Sequence, residues 1–248
     1  MYNFIIDIDG TIVQNDQPIN NSVAFIQQLQ NQHYDFLLAT NSIIDKPSQI
    51  NRLNAIGINI TANQLYSPID AINIYLATQR IKTGLIIGST LEVQQIHCEH
   101  NSICPEIIIL LDFEKNDAGY CTLQNIIDFA QKGIPIITAS RSLFYLKNSH
   151  KQIDTGAFVA LIESITQTTI DVIGKPSTDY FINASHSFKN QDLEILVIGD
   201  DYQTDIQGAK AVNFKTALVQ SGKYHVGDEK HCQPDFCITE FTDLHFFE

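Results

Sequence analysis

The chain has 248 residues, 44% of them hydrophobic, which is enough to bury the core of one large domain or of two modest ones. It has 15 lysines and arginines but 28 aspartates and glutamates, and the resulting net charge of -13 argues against binding to nucleic acid or an anionic membrane. No apolar run approaches the roughly 20 residues of a membrane span, and no basic leader precedes the first strand. We therefore expect a cytoplasmic protein.

The five cysteines are odd in number and irregularly spaced, which fits reduced thiols better than a disulfide framework. His97, Cys98, His100 and Cys104 lie close together in sequence. They lack the paired CxxC spacing of structural zinc sites, so ordinary surface and core positions are the favoured interpretation.

The stretch FIIDIDGTIV, residues 4–13, places two carboxylates one residue apart at the end of an apolar run. The β-prone residues Phe4, Ile5, Ile6 and Ile8 predict a strand buried on both faces, which is broken at Gly10. Ligands of open α/β sheets bind at the carboxyl ends of the strands, and two buried acids need a cation or a shared proton. The pair therefore predicts a functional site, with a turn or N-cap aspartate as the alternative.

Helices and strands alternate along the rest of the first part of the chain. A helix is predicted around residues 21–30, a strand from Tyr34 to Asn41, and a second helix from Pro47 to Ile56. In SPIDAINIYLATQ, Ser67 is a predicted N-cap and Pro68 the first helical residue. Such alternation predicts a parallel sheet.

From about residue 81 the alternation restarts. GLIIG, EIIILL and IPIITA read as strands, and LQNIIDFAQ and FVALIES read as helices, so this block is predicted to form its own α/β unit. The chain then returns with DVIGKPSTDYF, the strand LEILVIG, a helix over residues 203–211 and the strand FKTALV.

Four short motifs fall at the carboxyl ends of strands or at helix starts: DIDGT at 7–11, ATN at 39–41, GKPS at 174–177 and GDDYQTD at 199–205. In this order they resemble the haloacid dehalogenase superfamily of phosphohydrolases, class II type A. GKPSTDYF, VIGDDYQTDIQGA and SGKYHVGDE are similar to the phospholysine phosphohistidine inorganic pyrophosphate phosphatase group.

The resemblance implies an α/β fold with a Rossmann-like, doubly wound parallel sheet. It implies a catalytic core formed by residues 1–80 and 172–248, with an inserted α/β cap over residues 81–171. The expected activity is hydrolysis of a small phosphorylated metabolite by a phosphoric monoester hydrolase.

The resemblance also implies the roles of the motif residues. Asp7 would be the nucleophile that forms an aspartyl-phosphate, and Asp9 the acid and base, since a like charge beside Asp7 favours a protonated Asp9. Asp7, Asp200 and the backbone carbonyl of Asp9 form a hard oxygen set suited to Mg²⁺. This metal shell would be supported by Asp205, with a secondary role for Asp201 and an N-cap as the alternative for that residue.

The same resemblance assigns four residues to the phosphate. Thr40 would supply a hydroxyl, Asn41 a further donor and Lys175 a fixed positive charge. Gly10 and neighbouring backbone amides would cradle the phosphoryl group, because a glycine lets the chain approach closely.

The cap loop TASRSLFYLKN departs from the pattern, with Ser142 where several relatives carry an acidic residue. Arg141, Phe144, Tyr145 and Lys147 are candidates for contact with the leaving group or for the core of the cap. Dimerisation through the cap and a monomer are both compatible with the apolar segments.

Other functions fit less well. A phosphomutase or phosphotransferase of the same superfamily uses the same aspartate pair, but its cap is usually inserted just after the first strand. A non-catalytic binding protein on this fold would be expected to have lost at least one of the six side chains that form the set Asp7, Asp9, Thr40, Lys175, Asp200 and Asp205. A dinucleotide-binding domain around GLIIGST lacks the glycine fingerprint.

Overall fold

The computed structural model describes residues 2–114, 119–147 and 150–244. The strands, in chain order, are β1 Tyr2–Asp7, β2 Val13–Gln14, β3 Gln17–Pro18, β4 Phe36–Ala39, β5 Leu65–Tyr66, β6 Thr83–Ile87, β7 Glu99–His100, β8 Ile107–Leu110, β9 Ile136–Thr138, β10 Phe144–Lys147, β11 His150–Ile153, β12 Asp171–Val172, β13 Glu194–Gly199, β14 Lys215–Val219 and β15 Phe236–Ile238.

The helices, in chain order, are α1 Ser22–Asn31, α2 Lys46–Ala55, α3 Pro68–Gln79, α4 Thr90–Val93, α5 Tyr120–Gln131, α6 Thr155–Thr166, α7 Thr178–Ser185, α8 Gln207–Ala211 and α9 Asp228–Cys232. Short 3₁₀ turns span Ala62–Gln64 and Phe241–Asp243, and a π-helical turn spans Tyr202–Ile206. None of the helices in the described ranges is long and apolar enough to cross a membrane.

The chain divides into two compact units. The first contains residues 1–40, 46–67 and 175–248, and the second contains residues 41–45 and 68–174. The boundaries at 67/68 and 174/175 differ from those expected at 80/81 and 171/172. The reason lies in α3, whose buried residues Ile69, Ile72 and Leu76 pack against the strand residues Ile86 and Ile107 of the second unit.

The first unit is built on a six-stranded sheet in the order β15-β14-β13-β1-β4-β5. All of its strand pairs are parallel. Strand β1 lies inside the sheet and is buried from Asn3 to Asp7, which confirms the predicted strand buried on both faces. Alternate residues of β14 pack on opposite faces, where Ala217 and Val219 join a cluster with α1 while Leu218 packs with Ile206.

The second unit contains a five-stranded parallel sheet in the order β12-β9-β8-β6-β7. Helix α3 packs on one face of this sheet, and the buried residues Ile126, Val159 and Ile162 of α5 and α6 pack on the other. Strands β10 and β11 form a separate two-stranded antiparallel sheet. The expected α/β class with parallel sheets is therefore confirmed.

Candidate active site

Three buried carboxylates from separate segments gather at one edge of the first sheet. Asp7 ends β1, Asp200 follows β13 and Asp205 lies in the π-helical turn. One oxygen from each of them lies within 4.8 Å of the others. The cluster therefore brings together three of the acids that the sequence analysis assigned to the metal shell.

The parallel register explains why Asp7 and Asp200 meet. Strands β1 and β13 are neighbours, with Ile6 opposite Ile198, so the residues that follow both strands emerge at the same edge. The π-helical turn returns Asp205 to this edge, where the backbone amide of Asp201 donates to Asp205 Oδ2 at 3.3 Å. The sheet thus positions two of the carboxylates, and the turn positions the third.

Lys175 is the cation of this cluster. Its Nζ lies 2.5 Å from Asp7 Oδ1 and 2.6 Å from Asp205 Oδ1, and the residue is only 3% exposed. Burial alone would lower the pKa of Lys175, but the charges of Asp205 and Asp7 outweigh it and raise that pKa well above its usual value. Lys175 is therefore a permanent positive charge beside Asp7.

Hydroxyl and amide groups hold the carboxylates of Asp7 and Asp200 in place. Thr11 Oγ1 lies 2.9 Å from Asp7 Oδ2 and 2.8 Å from Asp200 Oδ1. The backbone amide of Lys223 donates to Asp200 Oδ2 at 2.7 Å. Asp7 and Asp200 are thus fixed relative to each other by a buried threonine.

Two glycines allow the chain to pass close to Asp200. A Cβ atom on Gly10 would lie 2.4 Å from Asp200 Oδ2, and one on Gly222 would lie 2.1 Å from the same oxygen. Both residues also have a positive φ, +95° and +54°, which favours glycine. The amide of Gly10 donates to the carbonyl of Val13 at 2.8 Å, and the predicted part of Gly10 and its neighbouring amides in cradling a phosphate stays a prediction.

The charge of the cluster fits a divalent cation. Three carboxylates and the ammonium of Lys175 leave two negative charges when all groups are ionised. Burial raises the pKa values of Asp200 and Asp205, and the charge of Asp7 raises both further. A donor set of carboxylate oxygens with two surplus negative charges suits Mg²⁺.

Asp9 is held differently from Asp7. Its carboxylate is about half exposed and accepts a hydrogen bond from Arg52 Nη2 on α2 at 2.7 Å. Partial removal of this half-exposed carboxylate from water raises the pKa of Asp9, the hydrogen bond from Arg52 opposes the rise, and the negative charge of Asp7 adds a smaller increase. The upward direction is the one expected from the sequence, but the charge of Asp7 is a smaller cause than partial desolvation.

Three predicted site residues remain to be placed: Thr40, Asn41 and Asp201. Thr40 is buried in the first unit, and its carbonyl accepts a hydrogen bond from the hydroxyl of Tyr180 at 2.9 Å. Asn41 belongs to the second unit. Asp201 caps the π-helical turn by accepting from the amides of Gln203 and Thr204, and its other oxygen pairs with Lys223 Nζ at 3.1 Å. Its carboxylate therefore performs the N-cap role that was the alternative to metal support.

Three cap-loop candidates have structural partners within the second unit. Arg141 pairs with Glu163 at 2.5 Å and also donates to the carbonyl of Ile170. The Tyr145 hydroxyl donates to Glu114 Oε2, which raises the pKa of Tyr145 to about 12. The centroid of the Phe144 ring lies 4.2 Å from Lys151 Nζ. The side chain of Lys147 lies outside the described residues.

Four residues that contact the site residues, Thr11, Arg52, Tyr180 and Lys223, had no individual role predicted from the sequence. Thr11, Tyr180 and Lys223 lie inside or next to the recognised motifs, so their positions were a usable signal. Arg52 lies in a helix that carries no motif. Only the three-dimensional structure shows that it reaches Asp9.

Comparison with known proteins agrees with this architecture. A family model described as haloacid dehalogenase-like hydrolase matches residues 4–101, and one described as HAD-hydrolase-like matches residues 172–244. The phospholysine phosphohistidine inorganic pyrophosphate phosphatase of Xenopus laevis is 23% identical over 239 residues, which cover 92% of this chain and 86% of that protein.

Solved structures share the fold. NagD from E. coli K-12 superposes with a TM-score of 0.88 at 20% identity, over 97% of this chain and 96% of that chain. The glycerol phosphate phosphatase of Mycobacterium tuberculosis in complex with magnesium gives a TM-score of 0.84 at 21% identity, over 98% of this chain and 77% of that one. With both family models matched in order and the fold shared, the chain belongs to the haloacid dehalogenase-like hydrolases.

Proposed function

We propose that this protein is a Mg²⁺-dependent phosphatase that hydrolyses a small phosphorylated metabolite through an aspartyl-phosphate on Asp7. The observation that carries the proposal is the arrangement around Asp7. This carboxylate contacts a buried lysine and a buried threonine and lies within 4.8 Å of two further carboxylates. The names of the relatives and structural neighbours, several of which are phosphatases, support the same reaction.

Asp7 is suited to nucleophilic attack on phosphorus. Lys175 and the hydroxyl of Thr11 hold its two oxygens, so the carboxylate is oriented before the substrate arrives. The positive charge of Lys175 offsets the repulsion between an anionic nucleophile and an anionic phosphoryl group. Attack by Asp7 breaks the bond to the leaving oxygen and divides one difficult displacement into two easier ones.

Asp9 is the proposed acid and base. Its half-exposed carboxylate can meet a substrate, and its raised pKa favours the protonated form that donates to the leaving oxygen. The same carboxylate then accepts a proton from the water that hydrolyses the phosphorylated Asp7. Asp9 therefore ends the cycle protonated, as it began.

Asp7, Asp200 and the backbone carbonyl of Asp9 would hold Mg²⁺, with Asp205 as a supporting residue. When bound, the ion supplies positive charge that stabilises the charge developing on the phosphoryl oxygens. The proposed phosphate-binding residues are Thr40, Asn41, Lys175 and Gly10. Thr11 and the amide of Lys223 orient the carboxylates that would hold the ion.

The proposal is tested by hydrolysis of p-nitrophenyl phosphate with Mg²⁺ and with a chelator. We expect activity from the wild type only with the metal, and none from Asp7→Asn. A matched control is Asp192→Asn, which changes an exposed aspartate and should retain full activity. Metal-dependent activity that survives Asp7→Asn would contradict the covalent mechanism.

A further inference from the structure

Arg52 joins two acidic residues that lie far from it in sequence. Its Nη2 donates to Asp9 Oδ1 at 2.7 Å, and its Nε donates to Asp16 Oδ1 at 2.7 Å. Two different nitrogens of one guanidinium group thus donate to two carboxylates. A lysine has a single point charge and would not make this pair of directed contacts.

Local structure holds both Arg52 and Asp16 in place. On one side, α2 is anchored by the fully buried Leu53, and the buried Gln49 places its Oε1 3.5 Å from Arg52 Nη1. On the other side, Asp16 lies in the tight turn between β2 and β3, where Asn15 and Asp16 have φ values of 50° and 57°. Asparagine and aspartate tolerate this left-handed conformation better than most residues.

Asp9 itself needs such a link. Its side chain is about half exposed, so it lacks the surrounding packing that fixes the buried Asp7. Among the described residues, Arg52 supplies the side-chain hydrogen bond to the Asp9 carboxylate. A general acid must stay within hydrogen-bond reach of the atom that it protonates, so an unrestrained rotamer would lower the rate.

We propose that Arg52 is a positioning residue that orients the Asp9 carboxylate for proton transfer, with Asp16 of the hairpin turn as its second anchor. This inference rests on the proposed phosphatase function. Arg52 binds Oδ1 of Asp9, which leaves Oδ2 to carry the transferred proton. In the first step this proton passes to the leaving oxygen as its bond to phosphorus breaks and the bond from Asp7 forms. In the second step Oδ2 accepts a proton from water.

The reactivity of the leaving group separates this role from a general structural one. A nitrophenolate departs without protonation, whereas an alkoxide needs a proton from an acid. The value of kcat/KM covers the steps up to the first irreversible one, which here is phosphorylation of Asp7. Loss of acid positioning should therefore lower kcat/KM for an alkyl phosphate more than for p-nitrophenyl phosphate.

The experiment measures kcat/KM for p-nitrophenyl phosphate and for an alkyl phosphate that the wild type hydrolyses. The variants are Arg52→Met, Asp9→Asn and the double variant. Lys215→Met is the matched control, because it removes a partly exposed ion pair with Asp235 at the amino end of β14. A thermal unfolding midpoint for each variant shows that it is folded.

We expect Arg52→Met to lower kcat/KM for the alkyl phosphate by about 10-fold or more, and for p-nitrophenyl phosphate by less than about 3-fold. In the Asp9→Asn background the same change should have little further effect, since Arg52 acts through Asp9. Equal losses on both substrates, or losses that multiply in the double variant, would overturn the inference. Absence of Asp7-dependent hydrolysis by the wild type would instead contradict the proposed function on which it rests.

Discussion

Replacement of Lys175 by methionine tests the electrostatic account of the cluster most severely. Methionine keeps much of the side-chain length but removes the ammonium group that contacts Asp7 and Asp205. Both of these carboxylates are buried, so water cannot replace the lost contacts. The variant therefore leaves three clustered carboxylates with no cation among them.

The expected loss of unfolding free energy follows from the burial of Lys175 and its two partners. Removal of one partner of a buried ion pair destabilises a protein by about 3–5 kcal/mol, whereas an exposed pair contributes about 0–1 kcal/mol. Lys175 is 3% exposed and bridges two carboxylates, so we expect the metal-free Lys175→Met protein to lose about 3–5 kcal/mol of unfolding free energy. Lys215→Met, whose ion pair is partly exposed and screened by water, should lose much less unfolding free energy than Lys175→Met.

The loss of unfolding free energy in Lys175→Met should also depend on pH. The pKa of Lys175 is raised in the folded state, so its stabilising contribution is complete below its unfolded pKa and is lost only in strongly alkaline solution. Asp200 and Asp205 have raised pKa values, so they take up protons more readily when folded than when unfolded. Protonation of these acids relieves the repulsion in the variant, and the difference from wild type should shrink as the pH falls.

The assay is urea denaturation in the presence of a chelator, at about pH 8 and about pH 5, with the wild type and Lys215→Met measured in parallel. Mg²⁺ should recover part of the stability of Lys175→Met, because it adds positive charge to the same carboxylates. A loss no larger than that of Lys215→Met would refute the buried-cluster account. So would a loss that grows as the pH falls.

Three further changes test individual contacts. Thr11→Val should weaken Mg²⁺ binding about 10-fold in a calorimetric titration, because the hydroxyl that joins Asp7 and Asp200 is lost, while Thr11→Ser should bind like wild type. Gly222→Ala should lower the unfolding free energy by about 1–3 kcal/mol, because the added Cβ would clash with Asp200 Oδ2. An unchanged denaturation midpoint would contradict this expected destabilisation. Asp200→Asn should stabilise the metal-free protein by about 1–3 kcal/mol at about pH 8, because the raised pKa of Asp200 makes its ionised form unfavourable in the folded state. This gain should decrease progressively towards about pH 4. A variant less stable than the wild type at about pH 8 would contradict the prediction.

Much of the cluster could be predicted from the sequence because the sheet is parallel. Apolar runs that end in Asp7 and Asp200 identify two strand ends, and parallel pairing brings such ends to one edge. The start of α3 at Pro68 also confirms the predicted first helical residue. These features depend on local patterns that a single sequence displays.

Other features depend on packing that local patterns do not reveal. The helical periodicity of α3 was visible, but its membership of the second unit follows from contacts with the distant strands β6 and β8. Arg52 is an ordinary polar residue of α2, and its contact with Asp9 spans 43 positions of sequence.

The central claim is that the phosphoryl group is transferred to Asp7. The most direct test mixes the Asp9→Asn variant with p-nitrophenyl phosphate and Mg²⁺, quenches with acid and maps the modified peptide by mass spectrometry. This variant lacks the base that activates water, so we expect it to accumulate one phosphoryl group on Asp7 together with a burst of nitrophenolate. A burst of nitrophenolate with no phosphoryl group on Asp7 would contradict the account.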